Sequence, residues 1–111
     1  MSHLLLHWIN DEVKLSREVL SFDKDFCTGY LLGDLLSRFN QQADFEYFID
    51  RDNSDAKINN FTRLHATFTK LNIKFDTRAA YEIMQGNGRY VRNLLYQVFV
   101  FNCKIVSVYI L

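Results

Sequence analysis

The chain has 111 residues, of which 49% are hydrophobic and 15% aromatic, with no proline and four glycines. This composition can fill one hydrophobic core and excludes a disordered chain, and the scarcity of proline and glycine argues against a turn-rich all-β fold. The formal net charge is zero, which argues against a dedicated nucleic-acid-binding domain, since such domains are usually clearly basic.

The charges are unevenly distributed between the two halves of the chain. Residues 1–55 contain eleven acidic and five basic residues, whereas residues 56–111 contain two acidic and eight basic residues. We therefore expect a dipolar molecule whose second half forms a basic side, suited to an acidic protein partner.

The N-terminal segment predicts a first helix over residues 3–15. Its apolar residues recur at helical spacing and make one face: Leu4, Leu5, Trp8, Ile9 and Val13. Polar residues interrupt this apolar run and no basic residues precede it, which is atypical of a secretory signal peptide. Residues 16–22 are predicted to form a connection.

The most apolar segment predicts a second helix over residues 23–39, capped by Ser21 or Asp23. Other elements must enclose this helix, because apolar residues cover more than half of its surface: Leu31, Leu32, Leu35, Leu36 and Phe39. Gly29 and Gly33 stand four residues apart on one face, and each costs about 1 kcal/mol of helix stability relative to alanine. We therefore expect a neighbouring helix or loop to approach closely where these glycines lack a Cβ atom.

A polar, acidic loop with one short helical turn is predicted over residues 40–55. Embedded apolar residues are expected to hold this loop against the body: Phe45, Tyr47, Phe48 and Ile49. A third helix is predicted over residues 57–71, with Asn72 as its stop. Its apolar face is expected to consist of Ile58, Phe61, Leu64, Phe68 and Leu71.

The C-terminal part of the chain predicts a short helix and a longer one. Asp76 is a suitable N-cap for the short helix over residues 77–85, which ends at Gly86-Asn87-Gly88. The final helix starts near Arg89 and extends to about Asn102. Its apolar residues include Val91, Leu94, Leu95, Val98 and Phe101.

Residues 94–111 contain few polar residues, which raises the possibility of a membrane span. Lys104 near the middle of this stretch argues against a span, because a charge at mid-bilayer is costly. We therefore predict one domain over residues 2–103, followed by an apolar tail over residues 104–111.

Candidate groups for chemistry are few. Cys27 and Cys103 lie among apolar residues and are predicted to be buried free thiols, with a disulfide as the alternative. His3, His7 and Asp11 follow a four-residue spacing that could face one metal ion, but zinc requires further ligands and none is evident. We predict no cofactor, no metal site and no enzyme, because no nucleophile–histidine motif supports one.

The basic residues of the second half are the candidates for partner binding, with an ordinary solvated helix surface as the alternative. Arg63 and Lys70 are seven residues apart and share one face of the third helix. Arg89 and Arg92 begin the last helix, where the helix dipole disfavours cations, and such a placement can indicate a binding role. The candidate contact residues are Lys57, Arg63, Lys70, Lys74, Arg89 and Arg92, with Arg78 nearby in the chain.

An ordered set of short motifs resembles the calponin-homology-like domain of sperm flagellar proteins, and it covers roughly residues 2–103. These motifs are Leu5-x-x-Trp8-Ile9-Asn10, Gly29-Tyr30-Leu31-Leu32-Gly33, Lys57-x-Asn59-Asn60-Phe61-x-Arg63-Leu64, Phe75-Asp76 and Leu94-Leu95-Tyr96-Gln97. The resemblance implies an all-α, calponin-homology-like fold with four main helices and one or two short ones.

The same resemblance implies a non-catalytic interaction module of motile cilia and sperm flagella, in the central apparatus of the axoneme. Because related domains bind microtubules, the expected partners are microtubules, through tubulin, or axonemal proteins in the cytoskeleton. Actin binding, as in tandem calponin-homology proteins, is one alternative. A partner-dependent fragment with an apolar C-terminal tail is another. Neither nucleic acid nor a membrane is expected as a partner.

Overall fold

The computed structural model describes the backbone of residues 2–110 and the side chains of residues 3–103. Within this part of the chain the fold is all-α, as predicted, and no strand occurs. The helices are α1 (Ser2–His7), α2 (Tyr30–Arg38), α3 (Ser54–Lys70), α4 (Thr77–Met84) and α5 (Gly88–Ile110). The backbone of α5 thus continues beyond the end predicted near Asn102. What was predicted for the side chains of residues 104–111 lies outside the described residues.

Helix α1 continues without interruption into a π-helical segment, Trp8–Val13. The segment ends where Lys14 adopts a left-handed backbone with φ of 59°, close to the predicted end at residue 15. The Trp8 ring stacks on Phe39 at 5.9 Å between ring centroids and meets Phe99 edge-on at 5.0 Å. Trp8 therefore joins the first helix to the end of α2 and to α5. Leu4 is exposed, so its predicted place on the buried face is wrong.

The second helix begins at Tyr30, seven residues later than predicted. Residues 22–28 form successive turns instead, and Gly29 has a φ of 84°. This left-handed conformation cannot continue an α-helix, and residues other than glycine rarely adopt it. The Asp25 carboxylate accepts hydrogen bonds from the backbone N–H groups of Leu20 and Ser21, which stabilises the turns that precede the helix.

The two glycines of the second helical region allow close contacts, as predicted. A Cβ atom added to Gly29 would lie 3.0 Å from the Phe61 ring of α3. A Cβ atom added to Gly33 would overlap the ring of Phe48, which is buried in the loop between α2 and α3. Both neighbours predicted for this face, a helix and a loop, are therefore present.

Asn60 connects three segments from the middle of α3. Its side chain is fully buried, and its Nδ2 donates to the backbone carbonyls of Thr28 and Ile49, each at 2.9 Å. Its Oδ1 accepts from the backbone N–H of Ile49 at 2.9 Å. Because these partners replace water completely, the buried amide fixes the turns before α2 and the loop before α3 to one helix.

Asp34 is a buried carboxylate on α2 that the hydrophobic pattern does not reveal. Only 3% of its side chain is exposed. It accepts hydrogen bonds from the backbone N–H of Ser16 at 2.7 Å, from the Ser16 hydroxyl and from Arg38 Nε at 3.1 Å. Burial acts to raise the pKa of Asp34, but the bonds from Ser16 and Arg38 outweigh it and hold that pKa below its ordinary value. The carboxylate thereby ties the connection after α1 to α2.

The loop between α2 and α3 contains the predicted short helical turn, a 3₁₀ turn over Phe45–Tyr47. Phe48 is buried as predicted, but Tyr47 and Ile49 are exposed, so their predicted packing against the body is wrong. Helix α3 begins at Ser54, three residues early, because the side chain of Asn53 caps it by accepting from Ala56 N–H at 2.8 Å.

The predicted apolar face of α3 contains one error and its end is correct. Phe61, Leu64 and Phe68 are buried, but Ile58 is 62% exposed. Asn72 ends the helix by adopting a left-handed backbone conformation with φ of 58°. At α4, Asp76 accepts from Ala79 N–H at 2.8 Å and is the predicted N-cap.

The cysteines differ from the prediction in exposure. Both are free thiols, but Cys103 is exposed and Cys27 is half-buried. Desolvation raises the pKa of Cys27, which disfavours its thiolate form.

Among residues 2–110, no helix combines the length and apolar content that a bilayer crossing requires.

Gly33→Ala is expected to lower the free energy of unfolding by about 1–3 kcal/mol, because the new methyl group forces the Phe48 ring to move. Urea denaturation monitored by circular dichroism measures this. Phe48→Leu should lower the free energy of unfolding by less in the Gly33→Ala background than in the parent, because the smaller leucine leaves room for the new methyl group. An alanine variant as stable as the parent, or more so, would contradict the close contact.

Asp34→Asn is expected to lower the free energy of unfolding by about 1–2 kcal/mol at neutral pH, because it removes a buried, charge-assisted acceptor. The depressed pKa of Asp34 makes this contribution complete above about pH 4. It is lost as the pH falls through the pKa of the folded state. The stability difference between parent and variant should therefore shrink toward low pH in urea titrations. A constant difference would contradict the proposed ionisation.

Candidate partner-binding surface

Three basic residues converge on one cleft of about 490 Å³ between the start of α4 and the start of α5. Lys74 comes from the segment before α4, Arg78 from the first turn of α4, and Arg89 from the first turn of α5. We call this site the basic cleft. Its remaining wall includes Phe75, Tyr90, Asn93 and Leu94. The sequence separates Lys74 from Arg89 by fifteen positions, and helix packing brings them to one site.

Local structure places two of these cations near helix N-termini. Asp76 caps α4 just before Arg78. A turn at Gly86, with φ of 86°, then reverses the chain into α5, where the Asn87 side chain accepts from Arg89 N–H at 3.2 Å. Helix N-termini carry partial positive charge, so they add to the potential of the side chains. The cleft consequently favours an anionic group.

The cations of the basic cleft are not neutralised within the described part of the chain. Lys74 and Arg89 are exposed, as is Arg78, and none of the three forms an ion pair among residues 3–103. The one carboxylate in the wall, Asp76, caps α4 by accepting from Ala79 N–H, and the three cations outnumber it. Unpaired cations gathered around a concavity are available to a partner.

Arg63, by contrast, is held by contacts within the chain. Its Nη1 lies 2.9 Å from Asp44 Oδ2, its Nε donates to Asn59 Oδ1 at 3.2 Å, and its guanidinium covers the Tyr47 ring at 5.2 Å. Burial acts to raise the pKa of Asp44, but hydrogen bonds from Arg63 and Gln42 hold that pKa below its ordinary value. Arg63 thus fastens the loop to α3.

The other candidate contact residues lie apart from the basic cleft. Lys57 is half-buried, with its Nζ 3.4 Å from Asp52 Oδ1. Lys70 is exposed in the last turn of α3, and Arg92 is half-buried in α5. Of the six predicted contacts, the structure brings Lys74 and Arg89 together, and Arg78 joins them.

Sequence reasoning did not single out the uncharged residues of the site. Asn93 and Gln97 follow Arg89 at four-residue steps and line the same cleft. Gln97 Nε2 donates a hydrogen bond to Asn93 Oδ1 at 2.9 Å. The spacing from Arg89 was the available signal, since positions four apart share a helix face.

One of the two N-terminal histidines pairs with a neighbouring carboxylate. His7 Nδ1 lies 2.7 Å from Asp11 Oδ2, in an exposed pair on the first helix. No group of three or more histidine, cysteine or carboxylate side chains that could hold a metal ion occurs within the part of the chain that the structure describes.

Comparison with known proteins places these features in a family context. The sequence model of the family described as "CH-like domain in sperm protein" matches residues 5–100. The chain is 43% identical over 102 residues to sperm flagellar protein 2 of Homo sapiens, 41% to that of Rattus norvegicus and 40% to that of Sus scrofa. Each alignment covers 90% of this chain but 6% of the relative's length. No solved structure matches the chain significantly.

Arg63→Ala and Arg89→Ala form a matched pair that separates a stabilising arginine from an available one. Arg63→Ala is expected to lower the free energy of unfolding by about 1 kcal/mol, because the loop loses the ion pair with Asp44 and the cation–π contact with Tyr47. Arg89→Ala should change it by less than about 0.5 kcal/mol, as is usual for exposed positions. Thermal or urea denaturation measures both, and equal losses would contradict the distinction.

Proposed function

The chain belongs to the family of CH-like domains in sperm proteins, and on this premise we propose that it is a non-catalytic interaction module of the flagellar cytoskeleton. Its partners in this proposal are microtubules or axonemal proteins of motile cilia and sperm tails. Its place is the axoneme, in the central apparatus, where it contributes to flagellar assembly and motility.

The family match and the names of the relatives support the flagellar setting. The relatives are sperm flagellar proteins, and the aligned region includes nearly all of this chain. Because the chain spans about 6% of their length, the activity and partners of the whole relatives do not transfer with the alignment. The proposal therefore concerns what this one domain contacts.

The observation that carries the microtubule proposal is the basic cleft with its three unpaired cations. Tubulin surfaces are acidic, so they complement a concavity that holds Lys74, Arg78 and Arg89. Lys70 extends the exposed positive charge of the second half of the chain. By contrast, the ion pairs of Lys57 and Arg63 make these residues secondary contacts in the proposal.

Cosedimentation with stabilised microtubules tests the proposal directly. The full chain is expected to pellet with microtubules at micromolar concentration, and binding should weaken as salt rises because the contact is electrostatic. The double variant Lys74→Glu/Arg89→Glu should weaken binding at least about tenfold, since it reverses two of the three cations.

The matched control is Lys24→Glu/Arg51→Glu, which makes the same change in net charge at exposed positions of the first half. This control should retain most of the binding. Equal loss in both double variants would show that net charge, and not the basic cleft, governs the interaction. Pelleting with F-actin in parallel, and not with microtubules, would replace the microtubule proposal with the actin alternative.

A further inference from the structure

A second hollow, of about 360 Å³, adjoins the basic cleft along α5. One wall is the segment between α3 and α4, through Leu71 and Ile73. The other is the continuation of α5 through Tyr96, Val100 and Phe101. Five of the seven described residues that line it are aliphatic or aromatic, the other two are Asn72 and Gln97, and none is charged. We call it the apolar hollow.

The basic cleft and the apolar hollow are neighbours along one side of α5, with Gln97 at their junction, and we call the two together the groove. Gln97 lines both, and its Oε1 accepts from the backbone N–H of Lys74 at 3.2 Å. Arg89, Asn93, Gln97 and Val100 follow one another at steps of four, four and three residues, which keeps them on one side of α5. The segment from Leu71 to Asp76 forms the opposite wall of both hollows.

The groove has opposite characters at its two ends. Near Arg89 it presents unpaired cations, and near Val100 it presents aromatic and aliphatic surface, including a Tyr96 side chain that is 42% exposed. Eleven residues of α5 separate these ends, which is a distance of roughly 16 Å. That distance is spanned by about five residues of extended chain.

We propose that this groove binds a single short segment of a partner protein that is acidic at one end and apolar at the other. The acidic end lies among Lys74, Arg78 and Arg89, and the apolar end lies against Tyr96 and the apolar hollow. The inference rests on the proposed function in taking the basic cleft as a docking surface. It adds the requirement that the partner segment also carries apolar residues, which an acidic surface alone does not meet.

The apolar hollow supplies affinity and a fixed binding register, which the cations alone do not. Charge complementarity accelerates association and orients a partner, but exposed pairs contribute little affinity and tolerate many acidic sequences. An apolar side chain removed from water adds affinity and fixes the register of the bound segment. A partner is therefore selected by the spacing between its acidic and apolar residues.

Fluorescence anisotropy with the full chain and dye-labelled peptides of about ten residues tests the groove. One probe carries three glutamates, a short Gly-Ser spacer and a Leu-Phe pair, and it is made in both chain directions. In two others, serine replaces either the glutamates or the apolar pair. The complete peptide, in its better direction, is expected to bind at least about tenfold tighter than either partial peptide.

Variants assign the two ends of the segment to the two ends of the groove. Arg89→Glu should weaken the complete and the glutamate-only peptides alike. Tyr96→Ala should reduce the complete peptide to the affinity of the glutamate-only peptide and leave the latter unchanged. The matched control is Tyr81→Ala, which removes a tyrosine that is 59% exposed on α4 and does not line either hollow. It should change neither affinity.

The inference is overturned if the glutamate-only peptide binds as tightly as the complete one, or if Tyr96→Ala and Tyr81→Ala behave alike. Either result leaves the microtubule proposal standing, provided that microtubule binding still depends on Lys74 and Arg89. Conversely, tight binding of the complete peptide without microtubule pelleting supports the groove and rejects the microtubule as its partner. The two proposals therefore fail separately.

Discussion

The close approach of α2 to its neighbours is the constraint on which the rest of the fold depends. Gly29 and Gly33 present no side chain, so Phe61 of α3 and Phe48 of the loop pack directly against the backbone of this region. Close packing of this kind leaves no room for an added methyl group. Asn60 secures the same junction by pairing with two backbone segments in a fully buried site. A stable junction here positions α3, and the chain that follows it, relative to the core.

The charge asymmetry of the chain has a structural consequence that its net charge conceals. Some bases of the second half are paired with acids of the first, as in Arg63 with Asp44 and Lys57 with Asp52. Among the described residues that line the basic cleft, the only carboxylate is Asp76, which belongs to the second half. Three second-half cations that form no ion pair among residues 3–103 line that cleft, whereas Lys70 and Arg92 lie elsewhere. A neutral molecule can in this way present a strongly basic site.

Several parts of the fold could be predicted because their causes are local. Asn72 stops α3 and Asp76 caps α4, and both depend on the backbone preferences of a single residue and its immediate neighbours. The start of α2 was wrong because hydrophobic spacing records which residues face the core, and Gly29 gives no sign in that spacing of its positive φ. Asp34 was missed for a related reason, since a polar residue within an apolar stretch predicts exposure unless its partner is known.

The sequence by itself determined the all-α class, the central glycine-notched helix, the basic character of the second half and the family. These depend on composition, periodicity and the order of motifs, all of which can be read along the chain. Only the tertiary structure decided which cations are available, because ion pairing depends on distance in space. Arg63 pairs with Asp44 nineteen positions away, whereas Arg78 and Arg89 meet at a cleft where neither forms an ion pair among the described residues. The pair Gly29 and Gly33 can thus be read from the sequence, but the groove along α5 exists only once the helices have packed.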